Sequence, residues 1–181
     1  MIDGVVLRDL VAHVDARGRF IETYRRQWVP DGREMLQSNR GDRQAGCVVG
    51  LHFHRKQADW WYVVEGTARV VLHDLRVGSP TERETMSFDL AAEEPRGVYI
   101  PPGVAHGFAS LTDVTLTYLV DGYYDPADEL GVAWDDSGIS ADWGVTDPIL
   151  SDRDRELPGR SAVDLPRFSE GSTLPLDEHG G

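Results

Sequence analysis

Four side chains in this sequence have the types and the spacing of a metal shell. His52 and His54 lie in Gly50-Leu51-His52-Phe53-His54, Asp59 follows, and His106 ends the turn Pro101-Pro102-Gly103-Val104-Ala105-His106. Side chains two apart on a strand share a face, so His52 and His54 are expected to point the same way. Asp59 opens the next apolar run and offers a carboxylate. Three neutral imidazole nitrogens and one carboxylate oxygen suit Fe, Mn, Ni, Zn or Co. The expected cofactor is therefore a divalent metal ion, with no organic cofactor. The same residues could instead line a polar cavity that holds no metal.

Positioning such a set takes strands. Residues 48–49, 60–64 and 68–72 are β-branched or aromatic runs, and 85–90, 97–100, 107–111 and 115–120 continue the pattern. Turn residues separate them, as at Gly50 and Gly66, and no long helical period lies between. This spacing predicts an all-β barrel or sandwich. Earlier in the chain, Asp15-Ala16-Arg17-Gly18 is a turn signal before an alternating run over 20–24, and 5–14 has the pattern of an edge-paired strand. From Tyr123 onward the chain is rich in Asp, Gly, Pro and Ser, with a short helix expected over 152–157. The expected organisation is one domain over 1–181: N-terminal strands in 1–45, the β core in 46–122, wrapping loops and a tail in 123–181, frayed over 171–181. Strand alternation lets either Trp61 or the pair Trp60 and Tyr62 face inward, not all three.

The composition excludes several function classes. The chain has 181 residues, of which 40% are apolar and 27% charged, the profile of a globular protein with a substantial core. Its formal charge of −13 opposes binding to a nucleic-acid backbone. No apolar run is long enough to cross a bilayer, and Met1-Ile2-Asp3-Gly4 has no secretory pattern, so no membrane partner is expected. Cys47 is the single cysteine, which fits a reducing cytoplasm. Lys56 is the only lysine, so lysine chemistry could come from that position alone.

The histidine segments resemble the two signature motifs of the cupin superfamily, with Asp59 where glutamate is usual and Ser110 where asparagine is usual. A wider resemblance covers roughly residues 1–155. The segments Asp15-Ala16-Arg17-Gly18-Arg19-Phe20-Ile21-Glu22, Gln37-Ser38-Asn39, Gly50-Leu51-His52-Phe53, Pro101-Pro102-Gly103-Val104-Ala105-His106-Gly107-Phe108, Tyr124-Asp125-Pro126, Trp134-Asp135-Asp136 and Leu150-Ser151-Asp152-Arg153-Asp154 are similar to those of the dTDP-4-keto-6-deoxyhexose 3,5-epimerases. The resemblance implies an all-β cupin double-stranded β-helix, or jelly roll, with an N-terminal strand extension and a loop-rich C-terminal segment. It implies a homodimer in which an N-terminal strand joins the partner's sheet, and a small-molecule substrate, a nucleotide sugar. It implies that His52 is a catalytic base held by Asp154, that Tyr118 is the acid, and that Arg17, Glu22, Gln37, Asn39 and Tyr124 bind substrate.

Three positions depart from the family pattern. Val49 stands where the family has a phosphate-contacting arginine, His54 where it has glutamine, and Asp59 where it has a lysine that stabilises an enolate. A carboxylate would repel an enolate but would suit a cation. The sequence favours an isomerase-type enzyme that epimerises a nucleotide-linked keto sugar with the help of a metal; the alternatives are a metal-dependent cupin enzyme such as an iron oxygenase or metal-dependent isomerase or lyase, and a cupin that binds a small molecule without turning it over.

Overall fold

The computed structural model describes residues 1–30 and 33–169. The expectation of a frayed end over 171–181 lies outside the described residues. Two five-stranded antiparallel sheets face each other. The first has the order β1 (Val6–Asp9), β9 (Arg96–Ile100), β6 (Asp59–Glu65), β11 (Val114–Val120), β4 (Gln37–Arg43). The second runs β12 (Leu130–Gly131), β5 (Val48–Phe53), β10 (Val104–Ser110), β7 (Thr67–Asp74), β8 (Thr85–Ala91). A separate hairpin joins β2 (Ala12–Asp15) to β3 (Gly18–Ile21). This is the expected jelly roll.

Apolar burial explains why the sheets stay together. Val63, Val98, Ile100 and Leu116 of the first sheet meet Val70, Leu72, Val104 and Phe108 of the second in the central core. The outer faces are covered too. Trp60, Tyr62 and Tyr99 pack beneath Tyr24 and Trp28, while Leu51, Phe53, Val71 and Ala105 pack beneath Val132, Ile139 and Trp143. Strands buried on both faces read as continuous apolar runs, which is why β6, β7 and β10 were legible. Gly97 is required where the Trp60 ring crosses β9: a Cβ there would lie 2.1 Å from the indole. At Gly50 the β5 and β10 backbones approach so closely that a Cβ would sit 2.7 Å from the His106 carbonyl oxygen.

Two N-terminal expectations change. Residues 5–14 do not form one strand: the chain breaks after Asp9, β1 pairs with β9 of its own chain, and β2 turns back onto β3. The alternating run over 20–24 stops being a strand after Ile21. Strand β4 carries no apolar signal because it is a sheet edge with one face on solvent and the other on a cleft. The short helix α1 is confirmed over Asp152–Arg155. No helix among the described residues is long and apolar enough to cross a membrane.

Candidate active site

A cleft of about 320 Å³ opens between the two sheets. Its walls carry His52 from β5, His106 from β10, Asp59 and Trp61 from β6, Tyr118 from β11, and Gln37, Asn39 and Arg43 from β4, with His54, Gln57, Tyr124 and Glu129 from connecting segments. Alternation along β6 resolves the aromatic triplet. Trp61 faces the cleft and stands edge-on to His106, with ring centroids 5.3 Å apart, while Trp60 and Tyr62 turn to the opposite face.

His52 Nε2 lies 2.6 Å from Asp154 Oδ1. The two are far apart in sequence and are brought together when α1 docks on β5. Ser151 caps α1 by accepting from the Asp154 backbone N–H at 3.1 Å. Burial alone would raise the Asp154 pKa. Hydrogen bonding and charge from His52, the Ser151 hydroxyl and the Gly50 N–H outweigh it and hold the carboxyl below its ordinary value. The carboxylate therefore accepts the Nε2 proton, and Nδ1 is the free lone pair of His52.

Tyr118 is on the facing wall. Burial, together with the negative charges of Asp59 and Glu129, raises its pKa and keeps the phenol protonated. Gln37 donates from Nε2 to Asn39 Oδ1 at 2.8 Å, which orients both amides on the same face of β4. Tyr124 lies at the exposed mouth.

His54, Asp59 and His106 form a separate cluster. They are buried, and one donor atom of each lies within 4.8 Å of the others. His54 Nδ1 meets the Asp128 carbonyl at 2.9 Å, and His106 Nδ1 meets the Val104 carbonyl at 2.9 Å. Asp128 also clamps the turn after His54, accepting from the backbone N–H groups of Arg55 and Lys56. Asp59 accepts from Gln57 Nε2 at 3.1 Å and from Trp61 Nε1 at 3.0 Å. Burial keeps His106 neutral, with its pKa pulled down to about 4; Asp59 opposes this shift and His54 adds to it.

The four residues expected to share a metal do not all converge: His54, Asp59 and His106 lie together, while His52 turns to Asp154. His52 and His54 both line the cleft, as the alternation predicts, but the His52 ring is held by Asp154. Arg17 and Glu22 do not reach the cleft of their own chain. Arg17 pairs with Asp15 at 2.5 Å and Glu22 with Arg25 at 2.5 Å, both on the surface. Arg43, Gln57 and Glu129 were missed as cleft residues. Arg43 could have been found by continuing the period of two from Gln37 and Asn39.

The sequence and the fold are similar to those of known proteins. The family pattern described as dTDP-4-dehydrorhamnose 3,5-epimerase matches residues 1–161. The spore coat polysaccharide biosynthesis protein SpsL of Bacillus subtilis is 37% identical over 153 residues, covering 80% of this chain and 98% of that protein. NovW, a 4-keto-6-deoxy sugar epimerase from Streptomyces spheroides, superposes with a TM-score of 0.88 at 32% identity, covering 92% of this chain and 90% of its own. ChmJ, a 3'-monoepimerase from Streptomyces bikiniensis solved with dTDP-quinovose, gives a TM-score of 0.85 at 32% identity, with the same 92% and 90% coverage.

Proposed function

The chain belongs to the dTDP-4-dehydrorhamnose 3,5-epimerase family, and on that premise we propose that it epimerises a nucleotide-linked 4-keto sugar at a carbon beside the ketone. The observation that carries this reading is the 2.6 Å His52–Asp154 hydrogen bond on one sheet, with Tyr118 on the sheet opposite. Inversion needs a base on one face of the substrate and an acid on the other, and the two walls supply them.

A C–H bond next to a carbonyl is acidic because its electron pair passes into an enolate. His52 Nδ1 takes that proton. Asp154, a positioning residue, keeps Nε2 protonated and stabilises the imidazolium that forms. The Tyr118 hydroxyl then delivers a proton to the opposite face of the carbon; the phenolate is reprotonated from solvent, and the imidazolium of His52 releases its proton to solvent, which restores both groups. Gln37 and Asn39 offer paired amides for sugar hydroxyls, and Trp61 offers an apolar wall. Where the family resemblance places a phosphate-contacting arginine, this chain has Val49; Arg40 and Arg43 both line the cleft, and Arg43 on its edge is a cation that could meet the diphosphate.

A homodimer fits the same reading. The β2–β3 hairpin stands apart from both sheets and exposes Val14 and Phe20, 76% and 66% accessible. Packing it on a second copy would bury that surface and would carry Arg17 and Glu22 toward the partner's cleft.

The test is incubation with dTDP-4-keto-6-deoxyglucose in deuterium oxide, followed by NMR. Deuterium at a carbon beside the ketone, together with inverted product, is the expected result. Recovery of undeuterated substrate at high enzyme concentration would overturn the reading.

A further inference from the structure

We propose that His54, Asp59 and His106 bind one divalent first-row transition-metal ion, and that His52 stays outside its shell as the free base. The hydrogen-bond accounting leads here. Each imidazole donates its Nδ1–H to a backbone carbonyl, His54 to Asp128 and His106 to Val104. That fixes the tautomer and leaves Nε2 as a bare lone pair on both rings. No hydrogen bond reaches either Nε2 among the described residues. The third group, Asp59, is a carboxylate and also accepts. Its oxygens are steadied by Gln57 and Trp61, which leaves further lone pairs to fill.

Three buried acceptors therefore converge with no donor among them. His106 Nε2 and Asp59 Oδ2 are 4.0 Å apart, too far for a hydrogen bond but close to the separation of two ligands on one ion. Ligands at 2.0 to 2.2 Å from a shared ion are at most about 4.4 Å apart. The cluster's spread, within 4.8 Å, needs only small side-chain rotations to reach that. Two neutral nitrogens and one carboxylate oxygen suit Mn, Fe, Co, Ni or Zn over the harder Mg and Ca. A bound cation supplies positive charge in the cleft where an enolate would otherwise face the Asp59 carboxylate. That role rests on the epimerase reading; binding itself does not.

The experiment uses the full-length protein. Elemental analysis after expression without added metal is expected to find close to one transition-metal ion per chain. After chelation and dialysis, titration with Co(II) should give visible absorption of a nitrogen- and oxygen-ligated ion and raise the melting temperature as its concentration increases. Asp59→Asn and His54→Gln should each weaken Co(II) binding by at least about a hundredfold, since even groups outside a metal shell matter tenfold or more. Their metal-free circular dichroism and melting temperature report whether each variant folds, and either folded variant suffices. His52→Ala should leave Co(II) affinity unchanged. Failure of the wild-type protein to bind Mn, Fe, Co, Ni or Zn, binding indifferent to Asp59→Asn and His54→Gln, or an equal loss in His52→Ala would each overturn the proposal. Deuterium exchange without metal binding removes this site and leaves the epimerase; metal binding without exchange does the reverse.

Discussion

His52 Nε2 and Asp154 Oδ1 meet at 2.6 Å across 102 positions of sequence, one from a central strand and the other from the segment that wraps it. The contact assigns each imidazole nitrogen a task. Nε2 is committed to the carboxylate, so Nδ1 must carry any proton taken from a substrate.

Asp154→Asn tests this division. An amide can offer its N–H toward Nε2 and favour the wrong tautomer. The expected loss in kcat is about a hundredfold or more, in line with general-base catalysis. His52→Ala should abolish deuterium exchange. Near wild-type turnover by a folded Asp154→Asn protein would exclude the dyad.

Tyr118→Phe separates the two half-reactions. With His52 intact, the proton beside the ketone can still leave and a solvent deuteron can return on the same face. Exchange is expected to persist, while inverted product falls by about a hundredfold. Equal loss of both, read by NMR on one sample, would place Tyr118 outside the protonation step.

Arg43→Ala should raise KM about tenfold and leave kcat nearly unchanged, the pattern of a contact made equally in ground and transition states. The wild-type KM should also rise with ionic strength, because Arg43 lies at an exposed cleft edge. Steady-state kinetics at two salt concentrations checks both.

Much of this was legible in the sequence. The apolar strands were visible because the central strands of both sheets are covered on both faces, and the Pro101-Pro102-Gly103 turn identified His106. Strand β4 was not visible, since an edge lining a polar cleft needs no apolar residues. The separation of His52 from His54 was hidden because alternation places both on the cleft, and only the contact with Asp154, 102 positions away, draws the His52 ring aside. Arg17 and Glu22 are surface ion pairs in the single chain, so only a second copy could give them the roles the resemblance implies.

Light scattering should return about twice the chain mass of 20.1 kDa at micromolar concentration. Val14→Asp combined with Phe20→Asp should shift the particle toward one chain, by placing charge on the exposed hairpin. A wild-type particle of a single chain's mass would exclude the dimer.

Stability should depend on pH through His73. Burial, with the Arg160 cation beside it, pulls its pKa down to about 4, although Asp74 and Asp136 oppose the shift and Arg83 adds to it. Its Nε2 accepts from Arg160 Nε at 3.2 Å, and its Nδ1 meets Thr85 Oγ1 at 2.8 Å, so the folded site uses the neutral ring. Between about 6.5, the unfolded value, and 4 the unfolded chain binds more protons. The contribution is complete above pH 6.5 and is lost as the pH falls to 4, at most about 3 kcal/mol. Thermal melts across this window should show the decline, and His73→Gln should flatten its share of it.

The docking of α1 on β5 also has a meaning in time. Synthesis runs from the N-terminus, so every strand from β1 to β12 leaves the ribosome before Asp154 does. A nascent chain stalled short of Ser151 would hold the barrel, the histidine and the tyrosine, yet its imidazole would have no fixed tautomer. Full activity thus waits until Asp154 has emerged and α1 has docked on β5, and a preparation's specific activity doubles as a measure of how many of its molecules have made that contact.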